Sequence, residues 1–280
     1  MACLFVEQLS VLDCAYLDAA RGLVGESWIV DLELEGALDD QSMVLDFGQV
    51  KRRLKQALDA SVDHTLLVPR LAPELDFQLS AGVIDLLFRS DLGAFQHRSP
   101  SLAVTLLDAA EIDAAAIAAH LQPQLAAVVP PSVTGLRLRL RNEAIADAHY
   151  HYVHGLKKHR GQCQRIAHGH RSRIQIRVDG RRDAELEYHV AHSWMDIFLG
   201  TREDLVAGGN GRLRFAYDSP EGHFELTLPE NRVDILDGDT TVEHIAQHLL
   251  QLLLPERPGA MLEVRAYEGV MKGAIARGRG

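Results

Sequence analysis

The sequence predicts an α+β protein made of two similar units in series, and three observations carry that prediction. Its 280 residues suit two domains at about 100–200 residues each. Two-residue alternation of apolar and polar side chains runs through residues 28–35 and 135–141, which marks strands with one buried and one wet face. The order of strand-like and helix-like segments in residues 1–145 is then roughly repeated in 146–280.

The elements follow in order. Residues 4–12 alternate well enough for a strand, and a turn at Arg21-Gly22 leads to the strand at 28–35. Asp46 is the expected N-cap of an amphipathic helix that carries Val50, Leu54, Ala57 and Leu58 on one face. Residues 62–64 open a loop, and 73–87 carry no clear assignment. Residues 109–126 are Ala-rich with helical periodicity, end at Val129-Pro130-Pro131, and precede the strand at 135–141. In the second half, 150–154 and 171–178 read as strands and 212–217 with 223–228 as an added hairpin. Residues 240–254 read as a helix capped at Thr240 or Thr241, and 261–267 as a closing strand. The units join near 142–149, and a repeat this long suggests duplicated domains rather than a solenoid. Only the tail, 273–280, looks like a disordered segment.

Composition narrows the function classes. With 47% hydrophobic and 24% charged residues, the chain has ordinary globular composition, not that of a disordered or coiled-coil protein. Aromatics at 6% leave Leu, Val, Ile and Ala to build the core. The net charge of −10 is uneven, because residues 1–145 hold 11 Lys/Arg against 20 Asp/Glu. An acidic half argues against nucleic acid, whose binders present concentrated basic surfaces, and against an anionic membrane. Three cysteines without a CxxC pair suit a reducing compartment. The N-terminus has no basic stretch before its short apolar run, and no apolar run approaches the roughly 20 residues needed to cross a bilayer. The expectation is a soluble, cytoplasmic protein.

Histidines carry the strongest chemical signal, six of the chain's 14 lying between His149 and His170. His168 and His170, two residues apart at the start of a strand, project from one face. His154 lies on the preceding strand, which a hairpin brings alongside. A bare His-x-His is more often a solvated pair; the third strand-borne imidazole and a nearby thiol favour a metal centre, with three neutral imidazoles and an open fourth position as in catalytic zinc sites. His149, His151 and His159 are alternative ligands. Cys163 lies five residues before His168, among Lys157, Lys158, Arg160 and Arg165. Positive neighbours and a metal ion lower a thiol's pKa, which suits a general base, although a lone cysteine is more often inert. The same cations suit an anionic substrate. Asp63-His64 places a carboxylate beside an imidazole that it can orient. Glu143 and Glu268 each follow a terminal strand at corresponding places in the two halves, and a buried glutamate there can accept two N–H groups from a pterin or guanine ring.

These residues resemble the 6-pyruvoyl-tetrahydropterin synthase and 6-carboxytetrahydropterin synthase family. Residues 150–156, YHYVHGL, are similar to its first strand, and Cys163 followed by His168-Gly169-His170 to its Cys…HGH segment. Residues 241–246 and 264–268 are similar to its last helix and strand. In the first half, 42–51 resemble the helix entry, 62–67 the Asp-His dyad, and 138–143 the anchor strand. Where the family has HGH, this half has Val24-Gly25-Glu26, and the first histidine's place falls near Ala15, so zinc ligation there is lost. The resemblance implies two tandem tunnelling-fold (T-fold) domains, 1–145 and 146–280, each a four-stranded antiparallel sheet with two helices on one face, assembled as homo-oligomeric rings. It implies Zn²⁺ on His154, His168 and His170, Cys163 as proton-abstracting thiolate, Asp63 and His64 as its relay, and Glu268 and Glu143 as pterin anchors. The implied activity is a lyase acting on 7,8-dihydroneopterin triphosphate, in tetrahydropterin or queuosine biosynthesis. Because the dyad survives in one half and the metal ligands in the other, a shared site is expected. The alternative is a pterin- or purine-binding protein of this fold without turnover.

Overall fold

The computed structural model describes residues 1–280, the side chain of Gln49 excepted. The first half runs β1 (Ala2–Asp18), β2 (Gly22–Gly36), α1 (Phe47–Ser61), β3 (Leu66–Pro69), β4 (Leu75–Ser80), β5 (Val83–Ser90), β6 (Gly93–Pro100), β7 (Val104–Leu107), α2 (Ala114–Ala126) and β8 (Val133–Arg141). The second half runs β9 (His149–His154), β10 (His168–Val178), β11 (Arg181–Arg182), α3 (Ala184–Ser193), β12 (Met195–Thr201), β13 (Leu205–Gly209), β14 (Arg212–Ser219), β15 (Gly222–Pro229), β16 (Val233–Leu236), α4 (Val242–Leu253), β17 (Met261–Tyr267) and β18 (Gly273–Arg279). The repeated order read from the sequence is present in this mixed α/β fold. Each half is a long hairpin, a helix, a parallel strand, a meander, a second parallel strand, a helix and a returning strand.

The strands form three sheets, ordered β7-β3-β1-β2-β8, β16-β12-β9-β10-β17-β18 with β11 on β10, and β13-β14-β15-β6-β5-β4. Four antiparallel strands per half is therefore corrected to five and seven in mixed sheets. β3 runs parallel to β1 and β12 parallel to β9, because a helix in the connection carries the chain back to the end it started from. The unassigned stretch at 73–87 becomes β4 and β5, where Ile84, Leu86 and Phe88 point inward. The tail at 273–280 is not disordered, since β18 pairs with β17 from Gly273 to Arg279. Its small residues hide the alternation, yet Ala276 is buried and Gly278 lies against Leu250 and Leu254.

Local chemistry sets the helix starts. Asp46 accepts the Gly48 N–H at 3.0 Å, as its N-cap role requires, and Thr241 caps α4. α2 starts at Ala114, five residues inside the expected span, capped by Asp113, which accepts the Ala116 N–H at 2.7 Å. α3 was not foreseen, because only Leu186, Val190 and Ala191 supply its apolar side while a polar residue, Glu187, is buried and paired to Arg182. One core lies between α1, α2 and the first sheet, and a second between α3, α4 and the second sheet. A third is shared, with Leu66, Val68 and Phe88 of one half against Val153, Phe198, Phe215 and Phe224 of the other. No described helix is long and apolar enough to cross a membrane.

Candidate metal centre

β9 and β10 pair so that His154 lies opposite His168 and Tyr152 opposite His170. Residues two apart share a strand face, so the three imidazoles converge, and their ligand nitrogens lie within 4.8 Å of one another. All three are buried, at 0–1% exposure. Each Nδ1 faces an acceptor: His154 the Thr240 carbonyl at 2.9 Å, His168 the Arg165 carbonyl at 3.0 Å, and His170 the Asp13 Oδ1 at 3.2 Å, the last too oblique for a full hydrogen bond. A carbonyl only accepts, so Nδ1 carries the proton and Nε2 keeps its lone pair. The Nε2 atoms of His154 and His170 stand 3.2 Å apart, close to the roughly 3.3 Å edge of a tetrahedron with 2.0–2.1 Å metal–nitrogen bonds. Burial, then the neighbouring imidazoles, push the pKa of His154 and His168 well below the ordinary value. Three imidazoles aimed at one point, with the tautomers of His154 and His168 set by backbone carbonyls, are a donor set that a zinc ion takes, so the residues present fit that ion.

Asp63 and His64 come to the same place from the other half. They follow α1 in a turn where His64 has φ 52°, and its N–H donates to the Asp13 carbonyl at 2.8 Å. Asp63 Oδ2 lies 2.8 Å from His64 Nδ1, while Oδ1 accepts the Asp13 N–H at 2.8 Å. The His64 ring sits 5.1 Å from that of His168, and His64, Cys163 and His168 form a second cluster within 4.8 Å. Burial lowers the His64 pKa, but hydrogen bonds to Asp63 and to Cys163 outweigh it and push the value up to about 10. Asp13 is 4% exposed. Burial raises its pKa, and the charges of His170 and Lys272 with the Ser27 hydroxyl outweigh that and bring it to about 2.

The remaining expected residues divide. Glu268 stands beside this site: Gly269 N–H donates to Ser172 Oγ, on the same face of β10 as His170, and Lys272 bridges Glu268 at 3.4 Å and Asp13 at 3.7 Å. Glu143 does not join it. Its carboxylate pairs with Arg173 and its carbonyl accepts from Arg171, residues that alternation sends to the opposite face. The alternative ligands are engaged elsewhere, His151 with the Gly25 carbonyl, His149 with Asp147 and His159 with the Gly161 N–H. The cations expected around Cys163 are mostly neutralised: Lys157 by Glu203 and Asp204, Lys158 by Asp239, and Arg165 by Glu221. Asp13, Ser27, Lys272 and Thr240 were missed in the sequence, since no motif or spacing sets them apart.

The first half holds a counterpart. Tyr16 faces Val24 and Cys14 faces Glu26, as His154 faces His168 and Tyr152 faces His170. The place of His154 is therefore held in the first half by Tyr16, not Ala15, whose side chain points to the other face. Asp196, with φ 57°, stands two residues before Phe198 as His64 stands before Leu66. It is held by Arg21 through Nε at 2.9 Å and Nη2 at 2.5 Å, while Tyr16 takes Arg21 Nη1 at 3.1 Å. A guanidinium thus supplies the positive charge there. Gly25 and Gly169, the middle residues of the two tripeptides, pack back to back, and a Cβ on Gly169 would lie 2.6 Å from Gly25 Cα.

This is a mixed α/β protein with a buried three-histidine cluster in one half and a Cys–His–Asp row drawn from both. Residues 14–147 match the model of the family described as 6-pyruvoyl tetrahydropterin synthase, which bears out the resemblance read from the motifs of the first half. Among solved structures, the chain is similar to 6-pyruvoyl tetrahydropterin synthase from Plasmodium vivax at 20% identity, covering 52% of this chain and 93% of that one with a TM-score of 0.43. It is similar to the Plasmodium falciparum enzyme at 20% identity, covering 50% and 97% with a TM-score of 0.40. No curated protein matches.

Proposed function

We propose that the protein is a zinc-dependent pterin lyase that transforms 7,8-dihydroneopterin triphosphate to a 6-pyruvoyl- or 6-carboxy-tetrahydropterin product. In this reading, the chain is two tandem T-fold domains, 1–145 and 146–280, that assemble with further copies into a ring. One observation carries it: Asp63-His64 of one half comes within reach of Cys163 and His168 of the other, which completes within one chain a row that neither half holds alone.

His154, His168 and His170 would hold the ion, which when bound supplies Lewis-acid polarisation of substrate side-chain oxygens. Every other task falls to the chain. Glu268 accepts two ring N–H groups of the pterin and sets the side chain over the site. Cys163, between His64 and His168, takes a proton from the substrate side chain. His64, which already carries its proton, acts as the acid that returns one to the substrate, and Asp63, itself fixed by the Asp13 N–H, holds the His64 ring and its Nδ1 proton in place. Burial of the cluster keeps water from competing for it.

The test is a chromatographic product assay with zinc-loaded protein and 7,8-dihydroneopterin triphosphate. His64→Ala is expected to lower turnover by about a hundred-fold or more with zinc content unchanged. Pterin binding without metal or product would instead mark a binding module, and unchanged turnover in His64→Ala would discard the shared site.

A further inference from the structure

We propose that Asp13 is the positioning residue that locks the metal cluster of the second half to the Asp-His dyad of the first. This rests on the reading of the three imidazoles as a zinc site. Its side chain reaches across the interface between the halves, where Oδ1 lies 3.2 Å from His170 Nδ1 and Oδ2 3.7 Å from Lys272 Nζ. The carboxylate is itself fixed, because Ser27 Oγ donates to Oδ1 at 2.5 Å. Gly269, at φ +65°, keeps the space open, since a Cβ there would sit 2.6 Å from Asp13 Oδ1. The main chain of the same residue holds the dyad from both sides, its N–H on Asp63 Oδ1 and its carbonyl on the His64 N–H, each at 2.8 Å. One residue therefore faces the remote nitrogen of a cluster imidazole with its carboxylate and holds the dyad with its main chain.

The other half supports the assignment independently. By the strand registers, Asp13 faces Ser27 and His151 faces Arg171, so the two occupy equivalent places, as His170 and Glu26 do. His151 Nδ1 lies 3.8 Å from Glu26 Oε2, with its hydrogen bond going to the Gly25 carbonyl at 2.7 Å. The carboxylate–imidazole pair recurs with the partners exchanged. Where the strand carries the imidazole that can bind metal, the carboxylate comes from the opposing half; where the strand carries glutamate, the opposing half supplies histidine. A carboxylate on the remote nitrogen of a ligand imidazole raises its basicity and fixes its orientation, and losing one typically weakens metal binding about 10–100-fold.

The experiment measures zinc affinity by competition with a chromogenic chelator, and the visible absorption of the cobalt-loaded full chain, for wild type, Asp13→Asn, Asp13→Glu and His170→Ala. Asp13→Asn keeps the shape and loses the charge. It is expected to bind zinc about 10–100-fold more weakly and to shift the cobalt bands, with Asp13→Glu recovering part of both. Should Asp13→Asn fail to fold, Ser27→Ala leaves the carboxylate present but unanchored and is expected to weaken zinc binding several-fold. Wild-type affinity and an unchanged cobalt spectrum in Asp13→Asn, or in Ser27→Ala where that is the variant obtained, would overturn the proposal while leaving the zinc site standing. Equal and negligible zinc binding by wild type and His170→Ala would remove the zinc site and this role with it.

Discussion

Glu26→Gln tests the ionisation of a carboxyl buried at the first half's counterpart of the three-histidine cluster. Glu26 occupies the place that His170 holds in the other half and is 5% exposed. Burial raises its pKa, and although the Ser27 N–H, Arg171 and Arg21 pull the other way, the value settles at about 7 against an ordinary 4.5. The sign follows from that order. A carboxyl that binds its proton more tightly folded than unfolded costs stability as soon as pH exceeds the unfolded value, and the cost stops growing once pH passes the folded one. Linkage puts the cost at about 3 kcal/mol at pH 8 and under about 1 kcal/mol at pH 5. Glutamine keeps an oxygen for the Ser27 N–H, 2.9 Å from Oε1, and carries no charge. The variant should therefore gain about 2 kcal/mol more, relative to wild type, at pH 8 than at pH 5. Urea unfolding of both proteins at the two pH values, with zinc in equal excess, reads the difference. An equal gain at both pH values, or a loss at pH 8, would refute the reasoning, since it would mean that Glu26 is ionised without strain.

Two further outcomes concern stability. Gly169→Ala forces a methyl against the Gly25 Cα and the Tyr152 carbonyl; overpacking on rigid backbone costs about 1–3 kcal/mol and moves His168 and His170, so calorimetry should show a lower Tm and metal analysis reduced zinc content. His97, buried on β6, has its pKa lowered by burial to about 4. Its neutral form is the one the fold holds, so its contribution is present above pH 6.5 and is lost on acidification, about 3 kcal/mol by pH 4. His97→Gln should flatten that part of the stability profile.

The sequence was most legible where one physical rule acted alone. Alternation announced β2 and β8, the Asp46 and Thr241 caps marked α1 and α4, and the spacing of His168 and His170 was enough to place two rings on one face. Legibility failed where small or polar residues do apolar work, as in β18 and α3, and where partners come from far along the chain. Nothing near Asp13 in sequence says that it will meet His170, 157 positions away, and the charge run at 157–165 reads as a basic patch until Glu203, Asp204, Asp239 and Glu221 fold onto it. The Asp-His pair and the histidine cluster were each visible in their own halves; their meeting depends on how Gly25 and Gly169 let the hairpins pack back to back.

The third sheet has one more implication. Its middle is a seam where β15 lies on β6, Glu225 against Arg98, Leu226 against His97 and Thr227 against Gln96. Each half contributes three strands and would, if alone, leave an unpaired border of backbone groups open to any passing chain. Fusion gives every molecule its own permanent neighbour for that border, so dilution cannot part the two contributors. The border that each half would expose is thereby closed inside a single chain.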